Sequence, residues 1–417
     1  MSFFLRLLLA AVAGAICLHA AASPTMAVTN GRWFDGQRFV PGTWYVVDGK
    51  LTRKAPARVD LRLDARGRHV VPPYADAHNH NMQGPWMAAQ QLSSSLKQGV
   101  FYVAQLCANP TDIAGYRSML SQPTTPDVLF ATACISATDG HPIGLFLHFA
   151  KQGGDASATP EMARKMIVAV DTEAELAARW DEVLAGQPDL VKVILVDSAR
   201  HAQRKGQPQY FGRNGLDPAL LPTIVQRARA AGVRVVAHPD TAADARAAVQ
   251  AGVDLLAHLP GYHFEKGLTA QDYRLDDETI ALMAQRKIPL IATASVPQTM
   301  LRLKGAELAA VQAMQRDNLQ RVLKAGVPLL IGSDNPFGGP LDEVEYLDGL
   351  GLLPRAQLLA ALTMHTPQAM YPKRAVGRFD EGAEASFLLL DGDPLQDLKA
   401  LRRVSLAVKQ GNVLSLR

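Results

Sequence analysis

Short apolar runs alternate with longer amphipathic segments through most of the chain. Eight of these runs predict buried strands, at residues 70–77, 100–106, 128–133, 190–196, 233–237, 253–257, 289–292 and 327–331. Most of them are separated by Ala-, Leu- and Arg-rich segments with helical spacing, such as 218–231 and 242–251. Alternating strands and helices predict a parallel sheet of the α/β class, and eight such units predict a closed (β/α)8 TIM barrel.

Both ends of the chain show a different pattern, in which short strands are separated by turns. Four such runs lie at residues 31–36, 44–50, 385–390 and 404–408. Because β-rich segments flank the barrel pattern on both sides, we predict that the two ends pair with each other. The predicted organisation is a barrel over residues 71–372 and a small β-sandwich domain built from residues 23–70 and 373–417.

The first 22 residues have the pattern of a secretory signal peptide. Arg6 precedes an apolar run at residues 7–18, and small residues at 20–22 provide a cleavage site before Ser23. The apolar run is short for a permanent anchor, although an uncleaved anchor is the alternative. We therefore predict a secreted or periplasmic protein with no stable membrane insertion once residues 1–22 are removed.

Charge and cysteine content restrict the kinds of partner and of metal site that are expected. The formal net charge is +4 and no long basic run is present, so nucleic acid is not expected as a partner. After removal of the predicted signal peptide the cysteines are Cys107 and Cys134, which form no CxxC pair and exclude a thiolate metal site. We expect buried free thiols. The alternative, open to an exported protein, is a disulfide between neighbouring strands.

Histidines recur where the predicted strands end. His78 and His80 end the first barrel strand, where residues two apart point to the same face. His238 and His258 end two later strands, and Asp334 follows the last one. Because the carboxyl ends of barrel strands meet at one face, these five side chains are expected to converge. Neutral imidazoles with a carboxylate are typical of a zinc-type site.

Lys192 lies inside an apolar strand, at residues 190–195, where a charged ammonium is costly to bury. One interpretation is that its side chain faces outward or reaches solvent. The other is that burial favours the neutral amine, which reacts with carbon dioxide. The resulting carbamate is anionic and suited to bridging two metal ions.

Together these positions resemble the amidohydrolase superfamily. Its first-strand HxH, fourth-strand carboxylated lysine, fifth- and sixth-strand histidines and eighth-strand aspartate fall on His78, His80, Lys192, His238, His258 and Asp334. Segments 30–36 and 377–387 resemble the sheet domain of the superfamily. Pro73, Tyr74 and Ser386 depart from its usual residues, but none of them is a proposed ligand. The resemblance implies a metal-dependent hydrolase.

The lysine-containing pattern is similar to imidazolonepropionase-like and prolidase-like members, which cleave dipeptides or N-acyl amino acids. The resemblance implies that His141 contacts the substrate carbonyl. It also implies that Tyr210 and Arg213, between Lys192 and His238, bind the substrate carboxylate. The alternatives are a loop cap for His141 and a solvated loop for the other two.

The predicted reaction is hydrolysis of an amide C–N bond in a small molecule. One or two divalent ions, expected to be zinc, activate a water to hydroxide. The HxH pair, carboxylated Lys192 and Asp334 hold one ion, and Lys192 with the two later histidines holds the second.

In this mechanism Asp334 accepts the water's proton and passes it to the leaving amine, and His141 helps to polarise the carbonyl. Alternatives for the same site are a lactonase, cyclic imidase or phosphoesterase, an isomerase or deaminase, and a non-catalytic periplasmic metal-binding protein. The sequence leaves open whether the protein is a monomer or a homo-oligomer.

Overall fold

A computed structural model describes residues 23–152, 154 and 157–416. The predicted signal peptide lies outside the described residues, so export stays a prediction. The strands, in chain order, are β1 (Met26–Phe34), β2 (Phe39–Val47), β3 (Lys50–Thr52), β4 (Leu61–Asp64), β5 (His69–Val71), β6 (Tyr74–Asn79), β7 (Val100–Leu106), β8 (Asp127–Ala131), β9 (Cys134–Ser136), β10 (Ile167–Ala169), β11 (Leu190–Leu195), β12 (Arg234–Pro239), β13 (Leu255–Leu256), β14 (Leu290–Ala292), β15 (Leu329–Ile331), β16 (Phe387–Leu390), β17 (Val404–Lys409) and β18 (Asn412–Leu414).

The α-helices are α1 (Pro85–Lys97), α2 (Pro110–Tyr116), α3 (Ile143–Gln152), α4 (Pro160–Arg164), α5 (Glu173–Ala185), α6 (His201–Arg204), α7 (Leu221–Ala230), α8 (Ala242–Ala251), α9 (Asp277–Arg286), α10 (Val296–Thr299), α11 (Gly305–Lys324), α12 (Pro340–Leu350), α13 (Arg355–Ala360) and α14 (Thr366–Met370). In the described part of the chain, no helix combines the length and the apolar character needed to cross a bilayer.

Strands from both ends of the chain form one mixed sheet. Its order is β18-β17-β16-β5-β1-β2-β3, with β4 paired to β1. Trp33 packs edge-on against three other rings in the core of this sheet, those of Trp44, Phe379 and Phe387. The two ends therefore pair as expected. They form one connected eight-stranded sheet, because β5 pairs with both β1 and β16. The folding of this sheet into a β-sandwich stays a prediction.

The central strands form two parallel sheets. One has seven strands in the order β10-β9-β11-β12-β13-β14-β15, and the other has three in the order β6-β7-β8. Backbone hydrogen bonds join the two sheets at both of their junctions. Asp334 N–H donates to His78 O at 2.7 Å, and Asp189 N–H donates to Phe130 O at 2.8 Å. The α/β class with parallel sheets is confirmed. Continuous pairing around a closed barrel is not seen among the described residues, so closure stays a prediction.

All eight predicted strands are present, but the first begins later than expected. Residues 70–71 belong to β5 of the terminal sheet, and β6 starts at Tyr74. Pro72 and Pro73 separate them because proline has no N–H to donate to a strand ladder. The three-residue strands β9 and β10 were not predicted, since such short segments show no clear periodicity.

The two cysteines of the described chain are joined to each other. Cys107 follows β7, Cys134 opens β9, and they form a disulfide with their Cα atoms 5.1 Å apart. The Cys107 N–H donates to Ala131 O at the end of β8, at 3.0 Å. Cys134 lies three residues beyond the end of β8, which is the parallel neighbour of β7, so the two cysteines come within bonding distance of each other. The expectation of free thiols is therefore wrong, and the alternative pairing is correct.

Candidate functional site

Three ligand-type atoms meet at the carboxyl ends of β6 and β15. The Nε2 atoms of His78 and His80 lie 3.2 Å apart. Asp334 Oδ1 lies 3.2 Å from the first nitrogen and 3.1 Å from the second. Among the described residues, this is the one group of three or more His, Cys, Asp or Glu side chains that converges so closely. Two imidazoles and a carboxylate in this arrangement can hold a divalent ion.

The backbone at Asp334 is held in an uncommon conformation. Its φ is +45°, in the left-handed region that residues other than glycine rarely adopt. The preceding residue, Ser333, donates from its hydroxyl to the Asp76 carboxylate at 2.7 Å and from its N–H at 3.0 Å. With the bond from Asp334 N–H to His78 O, these contacts fasten the end of β15 to the end of β6. They direct Asp334 toward the two histidines.

The other predicted ligands lie next to this group. His258 Nε2 is 2.7 Å from Nδ1 of His238. The His258 ring stacks on the His78 ring, with centroids 5.8 Å apart. Lys192, in β11, places its Nζ 3.5 Å from His78 Nε2. The structure thus brings all six predicted ligand residues into one connected cluster, because their strands are parallel and end at the same face.

Backbone carbonyls determine which nitrogen carries the proton in two of the imidazoles. His78 Nδ1 lies 3.0 Å from Ala257 O, and His258 Nδ1 lies 2.8 Å from Leu259 O. Because a carbonyl only accepts, both Nδ1 atoms donate, and each Nε2 lone pair points into the cluster. Burial lowers the pKa of His78 to about 4 and that of His258 to about 3. Both are therefore neutral at pH 7, the form that binds metal.

Lys192 differs from the other fully buried lysine of the described chain. Lys409 donates from its ammonium to two backbone carbonyls and, at 2.6 Å, to the Asp127 carboxylate. Lys192 is 1% exposed, and no carboxylate of the described residues forms an ion pair with it. Burial lowers the pKa of Lys192 to about 7, against the opposing effect of the Asp334 charge. Its amine is therefore substantially neutral near pH 7.

His141 lies at the edge of the ligand cluster. Its ring stacks on the ring of His238, with centroids 5.1 Å apart and an interplanar angle of 20°. The backbone N–H of His141 donates to Asn214 O at 2.7 Å, which joins its loop to the one that contains Asn214. Burial lowers the pKa of His141 to about 4, so its ring is neutral at pH 7. A neutral ring beside the cluster can donate one hydrogen bond to a substrate.

Tyr210 and Arg213 lie in the loop that packs against the His141 loop. Arg213 is exposed and donates to Gln209 O at 2.7 Å. The Tyr210 ring lies under the Arg204 guanidinium, 4.3 Å from its carbon. In the contacts of the described residues neither side chain reaches a ligand, so their substrate roles stay predictions.

Three residues that contact the cluster carried no predicted role. Tyr262 Oη donates to Asp334 Oδ2 at 2.6 Å. Gln83 Nε2 lies 2.9 Å from His80 Nδ1 and donates to Cys107 O at 2.8 Å. Asp76 lies in β6, two residues before His78, and accepts a hydrogen bond from the His78 backbone N–H at 3.2 Å. The one sequence signal for them is their position within four residues of a histidine, which does not show where a loop directs a side chain.

Residues 69–414, which include all six ligand positions, match the profile of the amidohydrolase family. The chain belongs to the amidohydrolase family. Residues 26–44 also match a WXXGXW repeat in two copies.

Among amidohydrolase relatives, ochratoxinase of Aspergillus niger is 29% identical over 221 residues, which are 51% of this chain and 43% of the relative. The alignment therefore spans less than half of that protein's length. An uncharacterised protein of Mycobacterium tuberculosis is 23% identical over 394 residues, 88% of this chain and 90% of the relative.

Solved amidohydrolase structures share the fold. The crystal structure of A. niger ochratoxinase has a TM-score of 0.72 at 20% identity and covers 94% of this chain and 96% of that one. A Xaa-Pro dipeptidase with methionine bound in its active site has a TM-score of 0.72 at 18% identity, covering 94% of this chain and 100% of that one. At these identities the likeness establishes the architecture alone.

Proposed function

We propose that this protein is a metal-dependent hydrolase that cleaves an amide C–N bond in a small molecule, at the mouth of a (β/α)8 barrel. The observation that carries the proposal is the convergence of His78, His80 and Asp334 within 3.1–3.2 Å of one another in an amidohydrolase chain. A dipeptide or an N-acyl amino acid is the proposed substrate. The fold shared with a Xaa-Pro dipeptidase supports this choice.

The donor set suits one or two divalent ions, and zinc matches imidazole and carboxylate ligands best. The HxH pair and Asp334 would hold one ion, and His238 with His258 a second. Lys192 lies beside His78, and we infer that its amine is carboxylated and bridges the two positions. A bound ion supplies Lewis acidity toward a substrate carbonyl and toward water.

The protein's own groups orient the substrate and move protons. The Asp334 carboxylate takes the proton of the attacking water and delivers it to the leaving amine, as general base and then general acid. The neutral His141 ring donates to the substrate carbonyl oxygen from its place beside His238. Arg213 and Tyr210, on the adjacent loop, bind the substrate carboxylate.

A substrate panel tests this function. Purified protein is incubated with dipeptides, including X-Pro dipeptides, and N-acyl amino acids, and in parallel with a lactone, a cyclic imide and an organophosphate. We expect turnover of at least one amide, its loss after dialysis against a chelator, and its return when zinc is added. Turnover confined to the lactone or the organophosphate would contradict the proposed substrate class, and chelator-resistant amide hydrolysis would contradict the metal requirement.

A further inference from the structure

The two oxygens of the Asp334 carboxylate have different partners. Oδ1 faces the Nε2 atoms of His78 and His80, at 3.2 and 3.1 Å. Oδ2 accepts a hydrogen bond from Tyr262 Oη at 2.6 Å. Hydrogen bonds to carboxylates are short and strong, so this bond restrains the rotation that would exchange the two oxygens.

The Tyr262 hydroxyl is itself restrained by Thr293, whose Oγ1 it also contacts. A carboxylate only accepts, so the phenol proton goes to Asp334, and the Thr293 hydroxyl donates to the Tyr262 oxygen. The chain of donors runs from Thr293 through Tyr262 to Asp334. Donors in series polarise one another and strengthen each bond.

The two hydroxyl residues of this hydrogen-bonded series, Thr293 and Tyr262, are anchored in buried structure. Thr293 follows β14, and the next two residues donate their N–H groups to the buried Glu343 carboxylate of α12, at 2.8 and 2.7 Å. The Tyr262 ring lies against the His258 ring, with centroids 4.7 Å apart. Tyr262 therefore touches one residue from each proposed ion position while its hydroxyl is held in place.

We propose that Tyr262 is a positioning residue that keeps Asp334 a one-oxygen ligand, with Oδ1 directed at the histidines and Oδ2 held by the phenol. This role rests on the proposed function. The backbone of Asp334 is already in an unfavourable region at φ +45°, so its orientation depends on outside contacts. Without the Tyr262 hydroxyl the carboxylate turns more freely, and it binds the ion and moves the proton less well.

Tyr262→Phe tests the inference because it removes the hydroxyl and keeps the ring against His258. We expect the Kd for zinc, measured by competition with a chromophoric chelator, to rise about 10–100-fold. At saturating zinc we expect kcat to fall by a similar factor with KM unchanged, since Tyr262 acts through Asp334. Thr293→Val should shift both quantities in the same direction by less.

Tyr74→Phe is the matched control. Tyr74 is buried at the amino end of β6, and its hydroxyl donates to Leu401 O at 3.0 Å. The variant loses one buried hydrogen bond, so Tm should fall while zinc affinity and kcat stay at wild-type values. A purely structural role for Tyr262 predicts the same pattern for Tyr262→Phe.

The outcomes separate this inference from the proposed function. The inference alone is overturned if the wild-type protein binds zinc and hydrolyses an amide, and Tyr262→Phe matches it in zinc affinity and in rate. Wild-type protein that binds no zinc overturns both. If Tyr262→Phe fails to fold, Thr293→Val decides, and wild-type zinc affinity in that variant overturns the role of the hydroxyl chain.

Discussion

Replacing Asp334 with Asn is expected to lower kcat by about 10²–10⁴-fold, the range of a general acid–base group. The effect should lie toward the upper end because an asparagine side chain at this position fails in two roles. It has no negative charge for the ion beside His78 and His80, and its amide cannot accept and release the proton. Steady-state kinetics at saturating zinc, with metal content measured on the same sample, separates the two losses.

Asp254→Asn is the matched control for this variant. The Asp254 carboxylate accepts the Val235 N–H at 2.7 Å, at the amino end of β12 and far from the ligands. We expect wild-type kcat and wild-type metal content from it. If kcat for Asp334→Asn is within about tenfold of wild type, Asp334 is not the proton-transfer group, because the smallest loss expected for such a group is about 10².

Lys192→Arg is expected to lose activity by about 10²–10³-fold, the scale of one transition-state-stabilising group. Arginine keeps the positive charge, but its guanidinium stays protonated and can neither form a carbamate nor bind metal. Lys192→Ala should also lose at least one ion, because the remaining ligands do not satisfy two. Acetate or formate added to Lys192→Ala should partly restore activity by supplying the missing oxygens.

Lys409→Met is the control that separates the loss of the proposed carbamate from the loss of a buried lysine in general. Lys409 is as deeply buried as Lys192, but its ammonium is satisfied by Asp127 and two carbonyls. The variant should lower Tm and leave metal content unchanged. If Lys192→Arg retains both wild-type metal and rate, the bridging role is wrong. If metal content halves and some activity survives, a one-ion enzyme is the better account.

The strand-end residues could be predicted from sequence because local geometry determines them. His78 and His80 share a face by the two-residue period of a strand. The spacing of His238 and His258 matches one strand–helix unit, and the structure pairs their strands, β12 and β13, directly. Lys192 was conspicuous because nothing near it in sequence explains a cation in an apolar strand. Because the strands are parallel, their carboxyl ends lie at one face. The convergence of these residues can therefore be predicted without knowledge of the loops.

The missed features depend on contacts between segments distant in sequence. Tyr262 reaches Asp334 across 72 positions, and Gln83 links His80 to the Cys107 carbonyl across another loop. The Cys107–Cys134 pairing depends on where β7 ends and β9 begins relative to each other. Residues 70–71 were assigned to the wrong sheet because an apolar run has the same pattern in either sheet. Loop direction and sheet membership are set by tertiary packing, which one sequence does not display.

Anomalous diffraction at the zinc edge, from crystals of zinc-loaded protein, tests the central claim most directly. We expect a peak about 2.0–2.2 Å from the Nε2 atoms of His78 and His80 and from Asp334 Oδ1, the bond lengths of zinc to nitrogen and oxygen ligands. His78→Ala should lose that peak together with amide hydrolysis. His148→Ala, which changes an exposed histidine of α3, should keep both. A zinc-loaded, active wild-type protein with no peak at His78, His80 and Asp334 would contradict the account.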